Sequence, residues 1–280
     1  MLQERTGDKR AFERLMMFVQ DRTGISVAPE KWPYLEGRIR SQMSQLGFTT
    51  LHHYCCWLLD GNGMENEKNA LFDLVTINKT GFFRERHHFE FLSVQALPTM
   101  QARGIGMKSS LVIWSAGCSN GAEPYSLAML CQDFANTVPG FKFQILASDL
   151  CTKVLQTAVN AIYPHVDVTP VPLPMRQRYL RRDPNRDEVR IVVELRQKVR
   201  FVHHNLMELP YPPQHPVDII FCRNLLIYLK KTSQFKVLSQ LCQHLNPGGF
   251  LFLGHSETLT GTNLPLNFVA PTTFLRQSLP

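Results

Sequence analysis

The sequence predicts an α/β protein: a mostly parallel sheet with covering helices, an all-helical module before it and a small antiparallel insertion within it. Three observations carry this. From Ser110 onward, short apolar runs alternate with helix-length segments, the pattern of strands joined by crossover helices. Up to Val75 the apolar residues recur instead at helical spacing. Between residues 163 and 196 the alternation is broken by Pro164, Pro170, Pro172 and Pro174 and by the turn Asp183-Pro-Asn-Arg186.

In the helical module, Phe12, Leu15, Met16 and Val19 define a first helix that Thr23-Gly24 ends. Ala28-Pro29-Glu30 opens the next, which carries Arg38 and Arg40 and closes at Gly47. Thr50–Leu59 and Glu65–Val75 predict two more, split by the turn Asp60-Gly-Asn-Gly63. A polar stretch, residues 76–81, follows and can cap a helix beginning near Phe82. The α/β part is then expected as strand Leu111–Trp114, helix Pro124–Phe134, strand Phe141–Leu146 and helix Lys153–Ala161. It continues with strands Val199–His203 and Val217–Cys222, helix Ser233–Leu245 and strand Phe250–Gly254. Gly248-Gly249 reads as a turn into that last strand, and Val189–Leu195 as β-structure in the insertion.

The 280 residues suffice for a sizeable core, and 44% hydrophobic with 19% charged residues is ordinary for a soluble enzyme. The charged start, Met1–Arg10, lacks a signal-peptide core, and no apolar run reaches transmembrane length, so a cytoplasmic location is expected. Seven scattered cysteines form no CxxC pair, which argues against disulfide or zinc frameworks. His203, His204, His215 and His255 lie on different elements without metal-ligand spacing, so no metal is expected. A net charge of +7 favours acidic partners in general without choosing among protein, nucleic acid and membrane.

Chemistry concentrates at strand ends. The run Leu111–Trp114 enters the small-residue loop around Gly117 and Gly121, which opens the helix at Pro124. Such a turn admits a nucleotide-like ligand to the backbone, although it can equally be a packing device. Asp149, after the second strand, is placed to accept ribose hydroxyls, or to cap the helix starting near Thr152. Asn205-Leu206 and Asn224 with Tyr228 follow two later strands, where open α/β sheets bind ligands. Tyr228 also suits an ordinary core tyrosine. Asn78 and Thr80 can bond a ligand's polar ends, and Arg84 can grip a carboxylate. Together these features look like an S-adenosylmethionine site rather than a dinucleotide one.

Four strings, Asn78-Lys-Thr-Gly-Phe-Phe-Arg84, Ser115-Ala-Gly-Cys-Ser-Asn-Gly-Ala-Glu-Pro-Tyr-Ser126, Ile220-Phe-Cys-Arg-Asn-Leu-Leu-Ile-Tyr228 and Leu253-Gly-His-Ser-Glu257, resemble the CheR family of chemotaxis receptor methyltransferases. They occur in family order over nearly the whole chain. The resemblance implies a Rossmann-like S-adenosylmethionine-dependent methyltransferase domain over 78–280, with residues 163–196 as an inserted β-subdomain, and a helical receptor-recognition domain over 1–77. It implies methylation of glutamate side chains on the cytoplasmic helices of chemoreceptors, giving glutamyl methyl esters and S-adenosylhomocysteine. Carried over by motif, Asn78, Thr80, Arg84, Glu123, Asp149, Asn205, Leu206, Arg223 and Asn224 would contact the cofactor. Arg84 and Tyr228 would border the methyl-transfer site.

Two departures stand out. Ala122-Glu123 replaces the family's Glu-Glu, keeping the second glutamate. The region Arg181–Asp187 lacks the glycine found in members tethered to a receptor peptide, so the resemblance leaves open whether such a peptide tethers this chain. Arg38 and Arg40 are candidates to meet the acidic receptor helices, or else belong to a solvated helix face. A substrate glutamate, with a reference pKa of about 4.3, is already ionised at neutral pH and needs no general base. The chain has Arg223-Asn224-Leu225-Leu226 where amino-methylating nucleic-acid enzymes carry an Asn/Asp-Pro-Pro-Tyr string. Methylation of another substrate and a non-catalytic cofactor sensor are the competing readings.

Overall fold

A computed structural model describes residues 2–277 apart from residues 62, 64, 260 and 261. Asn62, in the expected turn after Asp60, lies outside the described residues.

The chain begins with four helices, α1 (Leu2–Thr23), α2 (Trp32–Gln45), α3 (Leu51–Leu59) and α4 (Glu65–Val75). Thr50 caps α3 by accepting the His53 amide. The predicted apolar stripe of α1 is buried: Phe12, Leu15, Met16 and Val19 pack with Ile39, Leu51, Leu58 and Leu71 in a core of their own. Burying a side chain of this kind contributes about 1.5–3 kcal/mol, which suffices to hold short helices whose propensity is modest.

Helix does not begin near Phe82. Residues 76–85 run as an irregular strap, Phe83 and Glu85 take left-handed conformations, and α5 starts only at Arg86 (Arg86–Phe91). A π-turn at Leu92–Ala96 joins it to α6 (Leu97–Ala102). The two phenylalanines point inward instead of starting a helix: Phe82 and Phe83 are buried, and the Phe83 amide donates to Ser126 Oγ.

The α/β part follows as β1 (Leu111–Ala116), α7 (Ala122–Thr137), β2 (Phe143–Asp149) and α8 (Thr152–Asn160). The insertion comprises β3 (Ile162–Pro164), α9 (Leu173–Tyr179), β4 (Leu180–Arg182), β5 (Glu188–Ile191) and α10 (Val193–Arg196). The chain then makes β6 (Val199–His203), β7 (Val217–Cys222), α11 (Lys231–Gln243), β8 (Leu245–Leu253), β9 (Leu266–Ala270) and β10 (Thr273–Arg276). Seven strands form one sheet in the order β6-β2-β1-β7-β8-β10-β9, and β3-β5-β4 form a separate antiparallel sheet. In the large sheet β10 alone runs opposite to the other six strands. Side chains alternate between its faces. Ile113, Ile219, Phe221 and Phe252 enter one core, and Trp114, Ile220, Cys222 and Leu251 the other. Burial on both faces explains why these strands read as continuous apolar runs.

Three expectations need correction. The second strand starts at Phe143 and reaches Asp149, because its pairing with β1 runs from Leu111↔Phe143 to Ala116↔Ser148. The expected β-run to Leu195 stops at Ile191, and Val193–Arg196 make a turn of helix. Gly248-Gly249 lie inside β8, not before it, at a shift in register between β7 and β8.

The helical module is pinned to the sheet at several points. Asp73 of α4 is buried and caps α8, accepting from the Thr152 amide at 2.8 Å and the Thr152 hydroxyl at 2.7 Å. Ile25 forms an antiparallel bridge with Leu229, and the Ser26 amide donates to the Tyr228 carbonyl. Asn205 Nδ2 reaches the Arg22 carbonyl. Among the described residues no helix is long and apolar enough to cross a membrane. Loss of a helix cap of this kind costs about 1–2 kcal/mol. Asp73→Ala is therefore expected to lower stability by about that amount, read as a lower urea midpoint at unchanged slope.

Candidate active site

The C-terminal ends of β1, β2, β6 and β7 open on a cavity of about 440 Å³ roofed by the helical module and the strap. Its size lies in the range of about 300–1,000 Å³ common for small-molecule sites. Asn78, Thr80 and Arg84 reach it from the strap, Glu123 from the first turn of α7 and Asp149 from the end of β2. Asn205 and Leu206 follow β6, and Arg223, Asn224 and Tyr228 follow β7. From α2 the structure brings in Arg38 but not Arg40. Two residues apart on a helix, these arginines diverge. Arg38 lies over the exposed Tyr34 ring at 5.9 Å, whereas Arg40 is held on another face by Glu36 at 2.8 Å and Asp8 at 3.0 Å.

The loop after β1 bends through left-handed conformations at Gly117 (φ 84°), Ser119 (φ 50°) and Gly121 (φ 88°). A side chain at Gly117 would collide with Leu225, and one at Gly121 with Ala158 and Tyr163, so only glycine serves there. The loop amides are already engaged. Gly117 and Cys118 donate to the Ser148 carbonyl, and Ser119 donates to Asp149 Oδ2 at 2.7 Å. A pyrophosphate needs free amides at a helix N-terminus, yet here Glu123 occupies the first turn of α7. With these amides engaged and an acidic side chain beside them, the loop offers little to a pyrophosphate.

Asp149 accepts the Cys151 amide at 2.9 Å and lines the cavity; it is not the cap of the helix at Thr152 considered from sequence, because Asp73 takes the Thr152 amide. Burial pushes its carboxyl up, and the backbone amides pull it back only in part. The Asn205 side chain is spent on Arg22, Glu208 and the Met207 amide. It therefore fixes the loop that presents Leu206. Arg84 gives one nitrogen to the Lys79 carbonyl at 2.8 Å. Tyr228 is half-buried and its hydroxyl makes no hydrogen bond among the described residues, so it is not the satisfied core tyrosine of the bland reading.

Arg223 is the buried centre of the site, its side chain 2% exposed. It meets Glu123 at 3.0 Å and Glu85 at 3.4 Å, and donates to the Arg84 carbonyl. Glu123 also accepts from Ser115 Oγ at 2.7 Å; burial raises its carboxyl despite the Arg223 charge. Glu85 behaves oppositely. Burial would raise it, but the His255 contact at 3.0 Å and the Arg223 charge prevail and leave it at about 2.

Two residues escaped a sequence-level role. Glu85 bonds Asn224 Nδ2 at 3.0 Å and so ties the strap to the β7 loop. Glu257, noted only as part of a string, is buried and accepts four backbone amides. They are Asn224 at 3.0 Å, Leu225 at 2.8 Å, Leu226 at 2.6 Å and Gly254 at 2.6 Å. An isolated acidic residue in a polar string carries no signal of such a clamp. The four histidines weighed as ligands do not converge among the described residues; Glu85, His87 and His88 do.

The fold and the place of the cavity are those of a methyltransferase: a Rossmann-like sheet with one antiparallel strand beside its edge, and a cavity at the strand ends. Comparison with known proteins gives the family. Residues 78–275 match "CheR methyltransferase, SAM binding domain" and residues 10–76 match "CheR methyltransferase, all-alpha domain". The chain is similar to the chemotaxis protein methyltransferase of Escherichia coli, 37% identical over 89% of this chain and 84% of that one. It is 33% identical to that of Borreliella burgdorferi over 95% of this chain and 94% of that one, and 35% identical to chemotaxis protein methyltransferase 2 of Pseudomonas aeruginosa over 90% and 88%. The chain belongs to the CheR methyltransferase family.

Replacing Glu257 by glutamine points an NH2 group at amide donors, and each buried donor left unpaired costs about 1–3 kcal/mol. Glu257→Gln is expected to lose about 2 kcal/mol or more of stability, and to weaken S-adenosylhomocysteine binding in calorimetry because the Asn224 loop loosens.

Proposed function

We propose that this enzyme methylates glutamate side chains on the cytoplasmic helices of chemoreceptors, using S-adenosylmethionine and yielding glutamyl methyl esters and S-adenosylhomocysteine. The observation that carries the reading is the single cavity in which residues from helical module, strap and sheet meet, with Arg38 and Tyr34 at its α2 wall. The names of the relatives support a chemotaxis substrate. Division into a helical domain, 1–77, and a catalytic domain, 78–280, with the insertion at 163–196, is part of the same proposal. It is supported by the separate apolar core of α1–α4. A cytoplasmic location follows from it.

The residues fit the cofactor. The buried carboxylate of Asp149 is placed for ribose hydroxyls, Leu206 and Leu225 offer apolar wall, and Asn78, Thr80 and the free nitrogens of Arg84 suit the amino-acid end. Arg223 and Asn224 border the same space, with Glu123 backing Arg223. When bound, S-adenosylmethionine supplies an electrophilic methyl group on a positively charged sulfur.

The protein's part is orientation and exclusion of water. The glutamate arrives ionised and no residue need take its proton. Separated opposite charges are favoured by water, so a roofed cavity that strips water from them speeds their loss. Holding both reactants in line supplies much of the rest. Arg38 steers the carboxylate by charge at the cavity wall, while Arg40, committed to Asp8 and Glu36, contributes little. The unpaired Tyr228 hydroxyl donates one neutral hydrogen bond, enough to orient the carboxylate without the loss of nucleophilicity that a bidentate arginine would impose.

The deciding experiment is transfer of labelled methyl from S-adenosylmethionine to membranes carrying the host's chemoreceptors, followed by mild alkali. Alkali-labile label on receptor glutamates is expected, with a raised KM in Arg38→Ala and little change in Arg40→Ala. Absence of label, with cofactor binding intact, sinks the reading. For Tyr228→Phe the expected outcome is a kcat loss of about tenfold or more, corresponding to about 1.4 kcal/mol, at unchanged S-adenosylhomocysteine affinity. Normal turnover would remove Tyr228 from the mechanism.

A further inference from the structure

Outside the cavity, on the far side of Glu85, three side chains offer one ligand atom each within 4.8 Å of one another: Glu85, His87 and His88. His88 is fully buried, yet its Nδ1 has no hydrogen-bond partner, and the same holds for Glu85 Oε2, which it faces at 3.5 Å. That separation is long for a hydrogen bond. It is close to the roughly 3.3–3.4 Å between two ligands of one tetrahedral zinc ion with bonds of about 2.0–2.1 Å. The other ring nitrogen, Nε2, sits 2.7 Å from Thr272 Oγ1 in the β9–β10 turn. In the tautomer whose Nε2–H donates to Thr272 Oγ1, the Nδ1 lone pair is aimed at a carboxylate oxygen. Two acceptors then face each other at 3.5 Å, with Arg223 Nη2 3.4 Å from the same carboxylate oxygen. An outer partner on the second ring nitrogen is also how metal-bound histidines are oriented.

His87 completes the set from the surface. Its ring lies 4.1 Å from that of His88, and its exposed side chain can turn to close the site. Arg223 is a competing cation on Glu85, but it keeps Glu123 at 3.0 Å as a second counter-charge.

We propose that Glu85, His87 and His88 form a binding site for a divalent transition-metal ion, zinc by its nitrogen and oxygen donor set, with water in the remaining position. Glu85 also holds Asn224 and Arg223, both of which line the cavity. An ion that draws on Glu85 therefore weakens the tie between the strap and the β7 loop, and metal and cofactor affinities are coupled. The site acts as a brake on the enzyme.

The test is zinc titration of metal-free protein by calorimetry, with cobalt as a spectroscopic substitute whose visible band reports tetrahedral nitrogen ligation. The surface pair His52 and Cys56, 3.8 Å apart, is a rival site and is removed in a Cys56→Ser control. Expected are one saturable site unchanged in Cys56→Ser, a loss of affinity of about tenfold or more in His87→Ala, and weaker S-adenosylhomocysteine binding in zinc-saturated wild type than in the zinc-free protein. No saturable binding, or equal binding in His87→Ala, overturns the site. Equal S-adenosylhomocysteine affinity with and without zinc overturns the brake.

Discussion

Everything at the centre of this protein depends on finding counter-charges for one buried guanidinium. Arg223 sits where water cannot solvate it, and breaking a buried pair by removing one partner is costly. Its partners come from two parts of the chain distant in sequence, Glu123 at the start of α7 and Glu85 in the strap. Satisfying them draws the strap against the ends of the sheet strands. The cavity is the space left between groups placed by this requirement, with Asp149 and Asn224 on its walls. The opposite drifts of the two carboxyls express the same constraint: Glu123 lies deep enough that burial outweighs Arg223, whereas Glu85 gathers enough partners to be pulled down.

Much of this was legible in sequence. Strands buried on both faces leave unbroken apolar runs, so β1 and β7 were recognisable and the Val217–Cys222 bounds agree with the structure. Helices bounded by a turn, such as α3 with its Thr50 cap and α4, were equally clear. The final hairpin was not. β9 is largely exposed and β10 mixed, so neither shows a clean period, and their place in the sheet is set by pairing with β8. The strap failed differently: Phe82 and Phe83 resemble the start of an apolar helix, and only the left-handed turns at Phe83 and Glu85 reveal that they dive into the core.

At the site, residue types were legible but their tasks were not. Arg38 and Arg40 look equivalent in a string, and only the helix separates a cavity-facing cation from a neutralised one. Asp149 carries two tasks at once, accepting loop amides and lining the cavity. Glu257 holds four amides of two loops, a role that depends wholly on how the β7 and β8 ends converge. Side chains that serve backbone leave the weakest trace in sequence, because any acidic residue could do the work if the fold delivered it there.

The bridge between Ile25 and Leu229, flanked by the Ser26–Tyr228 and Lys230–Gly24 backbone bonds, makes a short rung shared by the helical module and the loop that carries Tyr228. Backbone rungs ignore side-chain identity but demand fixed spacing. A chimaera that exchanged helical modules between relatives could tolerate many different surfaces on α2, yet would shift the tyrosine if the segment between α1 and α2 differed in length by a single residue. The helical module and the loop that carries Tyr228 are thus geared together by backbone bonds that leave their side chains free to differ.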